Sequence, residues 1–215
     1  MPRRALMEGR PWLLASILAA LAFAWLQNSS MPGLYLLALK AAPLFLLAAH
    51  ALRSHPGNDA RLLAGMLTCE GAGSVLIDHF VYEGTTLVII GFGFGLGLFL
   101  RHRRPVMSSS QRALVGALLL VTPAIAYLLA MPGARMTALF HGAAAGGMAA
   151  SAWGSSFPRY QVGAGAVVIV AASLLVIAST SFEAAQAPAI ASWSLFFFGN
   201  LMLSTGVTAE LRARA

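Results

Sequence analysis

The sequence predicts an all-α fold, a polytopic bundle of about eight transmembrane helices with both termini in the cytoplasm. The first observation is composition: 59% of the 215 residues are hydrophobic and only 10% are charged, whereas soluble domains have about a quarter charged residues. The second is that the apolar residues form long runs, and crossing the roughly 30 Å hydrocarbon layer takes about 20 apolar residues. The third is that the basic residues concentrate in alternate connections between these runs.

Clusters of proline, glycine, charged and polar residues divide the chain into eight apolar segments. The connections between them are too short to hold a soluble domain, so residues 1–215 are predicted to form a single integral membrane domain. The predicted spans are about 11–27, 33–52, 61–79, 84–101, 112–131, 134–153, 160–180 and 188–208.

The basic residues indicate the orientation. If the N-terminus is cytoplasmic, the outside connections hold only Arg135, and Lys40 lies within a span. Because positively charged loops stay in the cytoplasm, this partition favours an even number of spans in a cell's inner (plasma) membrane. The inside connections hold the other twelve of the fourteen basic residues: Arg3, Arg4, Arg10, Arg53, Arg61, Arg101, Arg103, Arg104, Arg112, Arg159, Arg212 and Arg214.

Several classes of function find no support in the sequence. The net charge of +7 comes from short interhelical connections without interleaved aromatic residues, so we expect no nucleic-acid partner. The single cysteine, Cys69, has no second cysteine for an intrachain disulfide. The glycine-rich run 91–95 follows no strand and lies at membrane depth, so it is not a phosphate-binding loop. We expect neither a cofactor nor a metal ion.

Ionisable residues within a span are energetically expensive and by default mark a functional site. Lys40 and His141 each lie about seven residues from the outer end of their span, or roughly 10 Å deep, and Glu70 lies roughly 13 Å deep. Ser74 and Ser173 fall in the same outer half of the bilayer. The sequence therefore predicts a polar pocket in that half, with Lys40, Glu70 and His141 as the main candidates and Ser74, Ser173 and Asn200 as weaker ones.

Each candidate also has a purely structural interpretation. Lys40 and Glu70 could form a buried ion pair that fixes helix register, or Glu70 could be a catalytic or ligand-binding carboxylate. His141 could make an interhelical hydrogen bond or take part in catalysis. Asp78, which belongs to a polar cap at the outer end of the third span together with His79, Tyr82 and Glu83, could be solvated or could line the mouth of the pocket. The small residues near Gly91 and Gly142 favour close helix packing.

The order and spacing of short motifs resemble the lysoplasmalogenase family, the YhhN-type integral membrane proteins, from the second span to the eighth. The family has a Lys followed by Pro and a leucine-rich run, as at 40–48, and S-x-x-G-D in the third span, where 70–74 reads EGAGS. A later family span carries G-A and then S-D with L-L, where this chain has GA at 165–166 and ASLL at 172–175. An aromatic stretch leading to Gln corresponds to FFFGN at 196–200, and Met148 also matches.

The sequence departs from this family at the residues that carry its chemistry. The two aspartates proposed as the family's catalytic pair are Ser74 and Ser173 here, the family's Ser is Glu70, and its Gln is Asn200. Glu70 is therefore the buried carboxyl left to act as an acid, with His141 or Asp78 assisting.

The resemblance implies hydrolysis of the vinyl ether bond of a lysophospholipid, through Glu70, His141 and Asp78, with Lys40, Ser74, Ser173 and Asn200 binding the substrate. Such hydrolysis needs one group that donates a proton to carbon and another that orients water. The alternative, which the missing aspartates favour, is a non-catalytic family relative that serves as a lipid-binding, transport or scaffolding membrane protein. A serine hydrolase is a poorer option, since the sequence contains no G-x-S-x-G motif.

Overall fold

A computed structural model describes residues 10–181 and 186–214. These residues are almost entirely helical, and their secondary structure contains no β-strand beyond one isolated bridge. The prediction of an all-α fold is confirmed. Arg3 and Arg4, which belong to the predicted cytoplasmic set, lie outside the described residues.

Eight α-helices lie within the described residues, with one helix for each predicted span. A 3₁₀ turn, Pro132–Ala134, precedes the sixth helix, and a π-helical turn, Arg159–Gly163, leads into the seventh. The helices are α1 (Arg10–Leu26), α2 (Gly33–Ser54), α3 (Asn58–Leu76), α4 (Val81–Arg101), α5 (Ser109–Leu129), α6 (Arg135–Trp153), α7 (Ala164–Ser181) and α8 (Gln186–Arg214).

Four of these helical segments are long and apolar enough to cross a membrane: α2, α4, α5, and Arg159–Ser179, which contains most of α7. Helix α1 contributes a shorter apolar helix, Pro11–Leu26. Helix α3 is less apolar because it carries Asp59, Arg61 and Glu70. The sequence and these four segments together identify a membrane protein.

Some helices begin before or end after the predicted spans, because local hydrogen bonding or helix propensity continues the helix beyond the apolar run. Helix α5 begins at Ser109 because Ser108 and Gln111 form a capping box: Gln111 N–H donates to Ser108 Oγ at 3.4 Å, and Ser108 N–H donates to Gln111 Oε1 at 2.9 Å. Helix α8 continues to Arg214, six residues past the predicted span. Hydropathy marks the edge of an apolar run, whereas backbone hydrogen bonding decides where a helix ends.

The chain forms two compact units. The first contains the described parts of Met1–Phe94 and Thr208–Ala215, and the second contains those of Gly95–Val207. In the first unit, the buried hydroxyl of Ser16 on α1 donates to the carbonyl oxygen of Pro43 on α2 at 2.8 Å. Helices α3 and α4 approach closely at Gly73, where an added Cβ would lie 2.9 Å from the carbonyl oxygen of Gly84.

Small residues also bring helices together in the second unit. A Cβ added to Gly146 on α6 would meet the carbonyl oxygen of Leu118 on α5, and one added to Gly142 would lie 2.9 Å from the Cα of Pro123. A Cβ added to Gly165 on α7 would lie 2.7 Å from the carbonyl oxygen of Gly199 on α8. The sequence expectation of small-residue packing near Gly91 and Gly142 therefore holds at the glycines that face a neighbouring helix.

Candidate functional site

Lys40 and Asp78 form an ion pair at one end of the first unit. Lys40 lies on α2, and Asp78 lies in the turn that follows α3. The ammonium Nζ is 2.7 Å from both carboxylate oxygens of Asp78, and the two side chains are 16% and 41% exposed, respectively. Long lysine side chains near the end of a span extend their charge towards the interface in this way.

This pairing corrects the sequence interpretation of Lys40. The sequence suggested a buried ion pair with Glu70, because the two charges are at comparable depth in adjacent spans. The ammonium instead extends to Asp78 in the half-exposed turn that follows α3, where the charges of the pair remain partly hydrated. An estimate of depth from the position of Cα does not account for the length of a flexible lysine side chain.

Glu70 is fully buried on α3. Its side chain packs against α4 at Gly91, where an added Cβ would lie 3.1 Å from Glu70 Cγ and 3.1 Å from the carbonyl oxygen of Met66. The glycine therefore creates the space that the glutamate side chain occupies. With about 1.5 Å of rise per residue, Glu70 lies roughly 9 Å along the helix from the end of α3 at Leu76.

Ser74 lies one helical turn beyond Glu70, towards the end of α3. Its hydroxyl donates to the carbonyl oxygen of Gly71 at 2.8 Å, in the same helix. The nearby residues His79, Tyr82 and Glu83 are exposed. Glu70, Ser74 and Asp78 are spaced four residues apart, from the buried part of α3 to the half-exposed turn that follows it.

The second unit contains the other three candidates. His141 on α6 is partly buried, with its Nδ1 shielded from solvent. Ser173 on α7 and Asn200 on α8 are buried, and among the described residues no hydrogen bond joins these two side chains. Asn200 Nδ2 donates to the carbonyl oxygen of Phe196 at 3.1 Å, and within the described residues the buried Oδ1 accepts no hydrogen bond.

The candidates thus belong to two groups, one in each unit. A single pocket shared by Lys40, Glu70 and Ser74 with His141 and Ser173 stays a prediction. In the part of the chain that the structure describes, no three histidine, cysteine, aspartate or glutamate side chains are grouped to hold a metal ion.

Sequence reasoning missed a polar cluster at the opposite end of α2 from Lys40. His50 is 4% exposed, and Ser54 Oγ donates to its carbonyl oxygen at 2.6 Å. Arg212 of α8 donates to Ser54 Oγ at 2.5 Å. The sequence offered a weak signal for this contact, since Ser54 and Arg212 both lie at span ends predicted to be cytoplasmic.

A buried polar stripe on α8 was also missed, apart from Asn200. Ser204 is fully buried and Thr208 is 3% exposed, and both follow Asn200 at intervals of four residues. Ser192, eight residues before Asn200, is 3% exposed. This spacing of four residues is visible in the sequence and defines one face of the helix.

Comparison with protein-family models, with curated proteins and with solved structures gave no match.

Proposed function

We propose that this chain is a multi-pass protein of the inner (plasma) membrane, with eight spans and both termini in the cytoplasm. Connections predicted to lie on the same side contact one another within each unit, which supports this topology. Ser54 and Arg212, both at predicted inner ends, form a hydrogen bond. Arg103 and Ser155, in two connections predicted to be cytoplasmic, form an antiparallel bridge.

We further propose that the protein hydrolyses the vinyl ether or ether bond of a lysophospholipid, with Glu70 as the proton donor. The observation that carries this proposal is the complete burial of the Glu70 side chain. A carboxyl group inside an apolar bundle costs stability, so a functional role accounts for it better than a packing role does. The Lys40 ammonium pairs with Asp78, so it does not form an ion pair that would oppose the role of Glu70 as an acid.

The reaction proceeds in two stages for a vinyl ether substrate. The Glu70 carboxyl transfers its proton to the vinyl carbon remote from oxygen, which forms an oxocarbenium ion and leaves a carboxylate. Water then adds to the cationic carbon and returns a proton to the carboxylate, and the resulting hemiacetal collapses to a fatty aldehyde and the alcohol of the glycerophospho head group. Asp78 remains with Lys40 near the head group and transfers no proton in this proposal.

The test measures aldehyde release from a lysoplasmalogen by the purified protein in detergent. We expect Glu70→Gln to lower the rate by about a hundredfold or more, because general acid catalysis contributes roughly 10²–10⁴-fold. The matched control is Glu83→Gln, which removes an exposed carboxyl from α4 of the same unit and should leave the rate unchanged. Absence of release by the wild type, or an unchanged rate in Glu70→Gln, contradicts the hydrolase proposal.

The second candidate function is non-catalytic lipid binding. It is favoured by Ser74, which replaces a carboxylate expected from the family resemblance and whose hydroxyl donates to its own helix. This proposal predicts that purified protein retains lysophospholipid, detected by mass spectrometry, without releasing aldehyde. Aldehyde release that depends on Glu70 rules it out.

A further inference from the structure

Two connections in the second unit are held together by backbone hydrogen bonds. Residues 102–108 join α4 to α5, and residues 154–158 join α6 to the π-helical turn before α7. Arg104 N–H donates to the carbonyl oxygen of Gly154 at 3.0 Å, and Ser156 N–H donates to the carbonyl oxygen of His102 at 2.7 Å. These hydrogen bonds therefore hold the backbones of the two connections against each other.

An aromatic anchor fixes the same connections to the interior. Phe157 is fully buried and forms an edge-to-face contact with Phe99, with ring centroids 6.0 Å apart. The ring of His102 lies 4.9 Å from the ring of Phe157. Because buried aromatic contacts of this kind resist displacement, the side chains on these connections project from a preformed surface.

Four arginines on these connections and on the helical turns that follow them are here named the arginine platform. Arg103 and Arg104 lie in the first connection, Arg112 lies in the first turn of α5, and Arg159 begins the π-helical turn. Arg103 and Arg112 are exposed, and the other two are partly exposed. In the part of the chain that the structure describes, none of the four forms an ion pair. Residues 95–182 contain no aspartate or glutamate, so no carboxylate of these residues can balance the platform.

Other features of these connections suit an anion at a membrane surface. Helix α5 and the turn that leads into α7 both begin here, and the N-terminal end of a helix attracts negative charge. Two apolar or aromatic side chains next to the arginines are highly exposed: Val106 at 75% and Tyr160 at 87%. Tyrosine at the end of a span is typical of the head-group region.

We propose that the arginine platform binds the phosphate groups of anionic phospholipids in the cytoplasmic leaflet. A guanidinium group binds phosphate through two parallel hydrogen bonds, which a lysine ammonium cannot provide, and all four residues are arginines. The cytoplasmic leaflet is the one that carries anionic lipid and attracts basic segments next to a span. The choice of leaflet rests on the proposed topology, whereas the binding itself is independent of whether the protein is a hydrolase.

The test measures lipid binding to the detergent-purified protein by native mass spectrometry, with phosphatidylglycerol and phosphatidylcholine as probes. We expect the wild type to prefer phosphatidylglycerol. The triple variant Arg103→Gln/Arg104→Gln/Arg159→Gln should lose on the order of a hundredfold in affinity for that lipid, because each arginine near a membrane surface contributes about fivefold. The triple variant with lysine at the same positions keeps the charge and should lose less.

The matched control removes the same charge from the first unit, as Arg53→Gln/Arg61→Gln/Arg214→Gln, and should retain nearly all of the affinity for phosphatidylglycerol. Added inorganic phosphate should not displace the lipid if the ligand is a membrane head group. Equal losses in the two glutamine variants would mean that only net charge matters and would overturn the proposal. So would the absence of a preference for phosphatidylglycerol, or displacement by inorganic phosphate.

Discussion

At the scale of single residues, the charged groups near the end of α3 have different surroundings. Lys40 and Asp78 neutralise one another where both remain partly exposed. Glu70 lies inside the helical packing, in a space that exists because residue 91 has no side chain. The sequence identified these residues as unusual, but their partners depend on side-chain reach and on helix rotation, which residue spacing does not provide.

The ion pair leads to a quantitative prediction. In a double-mutant cycle with Lys40→Met and Asp78→Asn, we expect a coupling free energy of about 0.5–1 kcal/mol, the upper range for a partly exposed pair. The measurement is the free energy of unfolding in detergent micelles by denaturant titration. The coupling should decrease at high salt, because exposed charges are screened.

A second cycle provides the control for this assignment. The pair Lys40→Met and Glu70→Gln should give a smaller coupling than the pair with Asp78. A larger coupling with Glu70 would restore the ion pair that the sequence suggested and contradict the observed geometry.

At the scale of secondary-structure elements, the structure explains which small residues matter. In α6, Gly142 and Gly146 face α5 at close range, whereas an atom added to Gly147 would meet nothing within 4 Å. Lipid provides no hydrophobic drive for helix association, so close backbone approach supplies much of the packing energy. The sequence predicted a small-residue face in this helix, but only the packing distinguishes the glycines that contact α5 from the one that does not.

This difference predicts opposite effects of the same substitution at adjacent positions. Gly146→Ala should lower the free energy of unfolding by about 1–3 kcal/mol, because its Cβ would overlap the carbonyl oxygen of Leu118. Gly147→Ala should be neutral or should stabilise by up to about 1 kcal/mol through helix propensity. Thermal unfolding in detergent measures both, and equal destabilisation of the two variants would argue against this helix contact.

At the scale of the whole molecule, two observations agree with the proposed topology, in which successive connections lie alternately on the outer and the cytoplasmic side. They are the distribution of arginines and the contacts between connections. Of the paired connections in the second unit, the first carries Arg103 and Arg104 and the other is followed directly by Arg159, and all three arginines are predicted to be cytoplasmic. The positive-inside rule and the backbone pairing are independent, because the first concerns insertion and the second concerns folding.

The topology can be tested by cysteine labelling, because Cys69 is the only cysteine in the sequence. In a Cys69→Ala background, cysteines at Ser30 and Gly133 should react with a membrane-impermeant maleimide in intact cells. Cysteines at Ser109 and Ser156 should react only after the membrane is permeabilised. Labelling of all four in intact cells, or the reverse pattern, would contradict eight spans with a cytoplasmic N-terminus.

The sequence by itself determined the helical membrane class, the number of helices and their approximate limits. These properties follow from composition and local apolar runs, since each span must satisfy its own backbone hydrogen bonds in lipid. Only the tertiary structure decided that Lys40 pairs with Asp78, that Gly91 accommodates Glu70, and that the arginine platform rests on two paired connections. These features depend on how helices rotate and pack against one another, which apolar runs in the sequence do not specify.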